Sequence, residues 1–101
     1  MIRSFRDRET ERVWSGERSR RLPPDIQDAA LRKLRIMNQA RRLDDLRVPP
    51  GNRLEALGGD RRGQHSVRIN QQWRICFRWN DGHCEDVEIC DYPSAGQPAQ
   101  W

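Results

Sequence analysis

Trp73-Arg74-Ile75-Cys76-Phe77-Arg78-Trp79 is the stretch that decides how this chain folds. Read as an extended segment, it sends Trp73, Ile75, Phe77 and Trp79 one way and Arg74, Cys76 and Arg78 the other. One face belongs against a core; the other carries guanidinium groups. Working outward, residues 64–69 also alternate, with His65, Val67 and Ile69 opposite Gln64, Ser66 and Arg68. Asn80-Asp81-Gly82 is turn chemistry leading into a last strand over residues 84–91, where Val87 and Ile89 join the core side and Asp86, Glu88 and Cys90 face the arginines. Upstream, residues 53–57 form a weak strand, and Gly58-Gly59-Asp60-Arg61-Arg62-Gly63 is a loop with adjacent arginines among glycines. A small sheet with one open, cationic side is suited to an anionic partner, and nucleic acid comes before a small metabolite.

The front of the chain reads as scaffold. Residues 2–5 alternate briefly, as an opening or edge strand would. Asp7 stands where an N-cap belongs, Thr10, Val13 and Trp14 mark one face of a brief helix, and Gly16 ends it. Residues 17–22 are polar and arginine-rich, a linker. Pro23-Pro24-Asp25 opens a longer helix, with Asp25 and Asp28 near the positive end of its dipole. Ile26, Ala30, Leu34 and Met37 recur at helical spacing and should pack on the sheet, leaving Arg32, Lys33 and Arg35 outward until about residue 40 or 41. Pro49-Pro50-Gly51-Asn52 is a turn. The expected fold is α+β: two N-terminal helices packed on one face of a small, mainly antiparallel sheet, in the order β-α-α-β-β-β-β. Residues 1–92 form the domain and 93–101 a short C-terminal tail.

Composition narrows the class. A chain of 101 residues makes one domain with a single layer of helix against sheet. Lys33 is the only lysine among 19 basic residues, and the net charge is +4. Arginine suits bidentate phosphate contacts and stacking on bases, although a GC-rich genome explains the same bias equally well. Three cysteines without Cys-x-x-Cys spacing argue against a disulfide framework and against zinc, and Cys84 and Cys90 lie too far apart along one strand to bond to each other. No cofactor or metal is expected. The N-terminus carries charges where a signal peptide carries an apolar run, and no segment reaches membrane-spanning length. The expected location is the cytoplasm, with no membrane partner.

Asp45-Leu46-Arg47, the run from Pro50 through Leu57, Gly59-Asp60-Arg61, Gly63, Ser66-Val67-Arg68-Ile69-Asn70, Gln72 through Phe77 and Asp91-Tyr92 resemble the HigB, or plasmid maintenance killer, toxins of the RelE/ParE superfamily of type II toxin–antitoxin systems. The likeness covers residues 1–92. It implies a RelE-like fold and a ribosome-dependent endoribonuclease that cuts mRNA in the A site of the 70S ribosome. It also implies a helix-turn-helix HigA-type antitoxin, with the complex repressing its own operon through operator DNA. The chain departs from the family at two places: Asp91-Tyr92 is followed by Pro93 where a histidine is typical, and Gly58 stands where many members carry a lysine.

Cutting RNA with its own 2′-hydroxyl requires deprotonation of that hydroxyl, stabilisation of a doubly charged phosphorane and protonation of the leaving 5′-oxygen. General acid–base help contributes roughly 10²–10⁴-fold per group, and fixed positive charge as much or more. The catalytic candidates are Arg74 and then Arg68 for the phosphorane, Tyr92 for base stacking or proton exchange, and Asp91 as an orienting group or proton acceptor. Arg62, Arg61, Arg53, Gln64, His65 and Arg78 are candidates for substrate binding. Each has a plainer reading. Arg74 and Arg68 would pair across strands with Glu88 and Asp86, Tyr92 would pack at the core edge, and His65 would be half-buried beside Val67 and Ile69. His83 would be solvated, Trp73 and Trp79 would be core, and the cysteines inert fillers. Two other functions compete: a non-catalytic ParE-like poison of DNA gyrase, and an inactive toxin retained as co-repressor.

Overall fold

The computed structural model describes residues 1–91. Helix α1 spans Arg8–Trp14 and α2 spans Pro24–Gln39; four strands follow, β1 (Glu55–Ala56), β2 (His65–Arg68), β3 (Trp73–Asn80) and β4 (His83–Asp91). They form one antiparallel sheet in the order β1-β2-β3-β4. The helices lie on one face of it, as the patterning predicts.

Helix α2 carries its apolar stripe at the expected spacing. Ala30, Leu34 and Met37 are fully buried and Ile26 nearly so, packed with Val67, Ile75, Phe77, Val87 and Ile89 of the sheet. Helix α1 buries Thr10 and Val13, and the Thr10 hydroxyl accepts the Ile89 backbone N–H at 2.9 Å. Gly16, at φ +85°, terminates α1: its N–H donates to the Val13 carbonyl and the Glu17 N–H to that of Arg12, the paired bonds of a left-handed C-cap. Asp7 holds the N-cap position with extended backbone, yet its side chain makes no capping hydrogen bond.

The expected opening strand over residues 2–5 is reduced to two isolated parallel bridges, Ile2 with Cys84 and Phe5 with Val87. The cause lies in β4. The register passes from Cys76–Glu88 to Arg78–Glu85, so β4 holds an extra residue there, and Asp86 takes a left-handed conformation at φ +52°. Its N–H turns out of the ladder to the Ser4 hydroxyl at 2.9 Å, which interrupts regular pairing along that edge. The bulge also reverses the parity of the strand. Cys84 and Val87, three positions apart, both reach the core. Asp81 and Gly82, at φ +51° and +80°, make the tight β3–β4 turn expected of their sequence.

Candidate functional site

The sheet face turned away from the helices carries Glu55 on β1, Ser66 and Arg68 on β2, Arg74, Cys76 and Arg78 on β3, and Glu88 and Cys90 on β4. Register sets their neighbours: Glu55 opposes Ser66, Ser66 opposes Cys76, and Cys76 opposes Glu88. One step along, Arg68 opposes Arg74 and Arg74 opposes Cys90.

Arg74 was expected on an open, solvent-facing surface; it is instead 1 % exposed. The chain entering β1 lies over it. Its Nε donates to the Ser66 hydroxyl at 2.7 Å, its Nη2 to the Arg53 carbonyl at 2.6 Å, and Nη2 also pairs with Glu55 at 3.2 Å. The Arg53 carbonyl can reach this position because Arg53 is left-handed, at φ +45°, while its own side chain remains exposed. Asn52 fixes that kink from below. It is buried, donates to the carbonyls of Leu46 and Val48 at 3.2 and 3.3 Å, and accepts from the Lys33 ammonium on α2. Lys33 is therefore not simply outward-facing: burial and then the neighbouring Arg32 lower its pKa. A chain of contacts thus runs from the helix layer through Lys33, Asn52 and Arg53 to Arg74.

Arg68 differs from its neighbour. It is half-buried, its Nε is buried without a hydrogen-bond partner, and among the described residues no carboxylate pairs with it. Two guanidiniums directly opposed across strands repel each other. Glu55 and two uncharged oxygens offset the charge of Arg74; nothing described offsets that of Arg68.

The remaining arginines of this face are paired differently from the simple cross-strand expectation. Arg61 bonds Glu88 and the buried Gln64, both at 3.2 Å. Arg78 pairs with Asp86 at 3.7 Å with both side chains about half exposed, at 46 % and 50 %, an arrangement that contributes under about 1 kcal/mol. Gly63, at φ +89°, lets the loop cross over Arg78; a Cβ there would come within 3.0 Å of its Nη1. Arg62 is exposed at the same loop. Glu88 and Asp86 were expected to pair with Arg74 and Arg68, but Arg74 reaches across β2 to Glu55, and Asp86, at the bulge, pairs with Arg78.

Three candidates stand apart. His65, opposite Phe77 and stacked on its ring at 6.1 Å, is half-buried on the helix side of β2; burial first, then the Arg47 charge, lower its pKa and keep it neutral near pH 7. Asp91 is in register with Trp73, so it shares the face of Ile75 and Ile89, and it accepts from the Gln72 amide at 3.1 Å. His83 is half-buried rather than solvated, with Nδ1 buried. Tyr92 lies outside the described residues, as does Pro93. The three cysteines are buried and unbonded; burial pushes the Cys84 thiol up to about 12, and a hydrogen bond with Cys76, together with burial, keeps Cys90 protonated. Trp73 and Trp79 pack against the core. Among the described residues, no three or more His, Cys, Asp or Glu side chains are grouped to hold a metal, and no helix is long and apolar enough to cross a membrane.

Sequence reasoning missed Glu55 and Asn52. Their signal was present in the Asn52-Arg53-Leu54-Glu55 run, but the side-chain roles follow from a two-residue strand and a kink that no periodicity reveals.

Two helices on one face of a four-stranded antiparallel sheet agree with the family that residues 3–92 match, described as the RelE-like toxin of the type II toxin–antitoxin system HigB. The chain belongs to this toxin family. It is 42% identical over 83 residues to Toxin HigB-1 of Vibrio cholerae, spanning 81% of this chain and 87% of that protein. It is also 27% identical over 86 residues to an uncharacterized protein of Haemophilus influenzae, covering 84% of this chain and 85% of that one. A type II toxin has an antitoxin partner, and the α+β architecture is the RelE-like one.

Proposed function

We propose that this toxin is a ribosome-dependent mRNA endoribonuclease acting in the 70S A site, with the Arg68–Arg74 pair as its phosphate-binding centre. The observation that carries the reading is the opposition of Arg68 and Arg74 in register, one paired with Glu55 and locked, the other half-buried with Nε lacking a hydrogen-bond partner. An RNA phosphate placed against Arg68 would relieve the repulsion between the two and supply the missing acceptor. Arg74 cannot move toward a substrate without breaking its bonds to Ser66, Arg53 and Glu55, so its role is a fixed charge and Arg68 makes the direct contact. Fixed donors aimed at a developing oxyanion contribute roughly 10²–10³-fold each. Neither guanidinium acts as a base, since a guanidinium offers only donors and no acceptor. Proton transfer falls to Tyr92, and Arg62, Arg61, Arg53, Gln64 and Arg78 line the approach or hold its walls; His65 and Asp91, in register with Phe77 and Trp73, belong to the opposite face and take no part in it. No metal or cofactor enters this scheme. A HigA-type helix-turn-helix antitoxin restrains the toxin in the cytoplasm, and their complex binds operator DNA.

Burial of Arg74 also suits a protein that binds without cutting, either a ParE-like gyrase poison or an inert co-repressor. Induced expression followed by primer extension on a translated message separates the three. Cuts in phase with codons, weakened in Arg68→Ala and Tyr92→Ala but not in His83→Ala, support the ribonuclease. Gyrase-linked DNA breaks with intact messages would establish the poison, and neither effect the co-repressor.

A further inference from the structure

A second cluster of arginines sits in the helix layer, away from Arg68 and Arg74. Arg12 of α1 and Arg18, Arg20 and Arg21 of the connection to α2, with Glu9, line an open cleft of about 470 Å³. The connection over residues 17–23 has no regular structure, yet it is held in place. Buried Gln27 of α2 accepts the Ser19 N–H at 3.0 Å and donates to the Ser19 and Leu22 carbonyls, both at 2.9 Å. The buried Ser19 hydroxyl donates to Glu9 and accepts the Arg21 N–H. The polar stretch that reads as a linker is therefore a clamped platform that presents arginines to solvent.

Charge decides what suits it. Four arginines face one glutamate, and that glutamate is occupied by Ser19 and by Arg12. Arg18 pairs with Asp28, but among the described residues Arg20 and Arg21 have no side-chain partner. A neighbouring cleft of about 440 Å³ around Arg8, Glu11, Arg12, Ser15 and Glu17 carries two arginines against two glutamates and offers no net attraction. A rigid backbone that holds unpaired guanidiniums spends little entropy on gripping phosphate.

We infer that this cleft is a second RNA-contact site, in which Arg20 and Arg21 bind the sugar–phosphate backbone of RNA lying outside the cleavage centre. The choice of RNA over an acidic protein rests on the ribonuclease reading above. The site holds the toxin on its large substrate while Arg68 and Arg74 engage the scissile phosphate.

The test is binding of the full chain to a short 2′-O-methyl oligouridylate, which cannot be cut, measured by fluorescence anisotropy across a salt series. Because the readout needs no cleavage, it separates this site from the nuclease reading. In an Arg68→Ala background, Arg20→Ala with Arg21→Ala should reduce the slope of log K against log salt by about 1.4, the value for two single-strand phosphate contacts. Arg32→Ala with Arg35→Ala, exposed on the outer face of α2, removes the same charge and should leave the slope nearly unchanged. All four side chains are exposed, so the variants should keep the parent's thermal transition. An unchanged slope in the Arg20/Arg21 variant, or an equal fall in the control, overturns the site. Equally tight, Arg20- and Arg21-dependent binding of polyglutamate overturns it in favour of an acidic protein partner.

Discussion

Replacing Arg74 with alanine should unfold the protein far more readily than a surface arginine would. The side chain is 1 % exposed, and its guanidinium bonds the Ser66 hydroxyl, the Arg53 carbonyl and Glu55. Hydrogen bonds to charged groups contribute about 1.5–3 kcal/mol each, and removing one partner of a buried ion pair costs about 3–5 kcal/mol. The Glu55 side chain keeps 21 % exposure, so water recovers part of its carboxylate and the loss belongs near the lower end, about 3 kcal/mol. For a domain of this size that lowers Tm by about 12–24 °C. Arg74→Lys keeps the charge but not the planar fork, reaches fewer of the three acceptors and should lose about half as much. Urea melts at constant m read both values. A loss below about 1 kcal/mol for Arg74→Ala would refute the anchoring role, and with it the division of labour between Arg74 and Arg68.

Asn52→Ala removes the bonds to Leu46, Val48 and Lys33 and should cost about 1–3 kcal/mol in urea melts. It should also lower toxicity even where the protein remains folded, because the Arg53 carbonyl loses its support. His65 has a folded pKa below its ordinary 6.5, so its contribution to stability is complete above pH 6.5 and declines as pH falls from there toward the lower folded value. Urea midpoints at pH 7.5 and 5.5 should therefore diverge in the parent and less so in His65→Phe; an equal divergence contradicts the assignment. With its thiol pushed up to about 12 and fully buried, Cys84 should resist alkylation in the native protein at pH 8 and react once urea is added.

Much of the scaffold is legible in the sequence. The 3.6-residue recurrence of Ile26, Ala30, Leu34 and Met37 identifies the buried face of α2, and Asp81-Gly82 announces the hairpin, because both signals are local. Alternation in β3 correctly separated Ile75 and Phe77 from Arg74 and Arg78. What alternation cannot report is whether the second face is covered. Arg74 is buried because residues 53–55 fold over it, a long-range event without a periodic signature. The β4 bulge was equally hidden: nothing in His83-Cys84-Glu85-Asp86-Val87 marks Asp86 as left-handed, yet that one residue reassigns Cys84 to the core and Asp86 to Arg78. Ion-pair partners therefore escape a reading by alternation: Arg78 is in register with Glu85 yet pairs with Asp86 at the bulge, and Arg74 reaches past β2 to Glu55.

Single-turnover cleavage of an mRNA held in the A site of a purified ribosome, comparing the parent toxin with Arg68→Ala, addresses the phosphate-binding centre most directly. Loss of a preorganised charge at the phosphorane predicts a rate lower by roughly 10²–10³-fold, with urea stability nearly unchanged since no described carboxylate is left unpaired. A rate within about threefold of the parent, set against that 10²–10³-fold expectation, would show that the opposed guanidiniums do not hold the scissile phosphate.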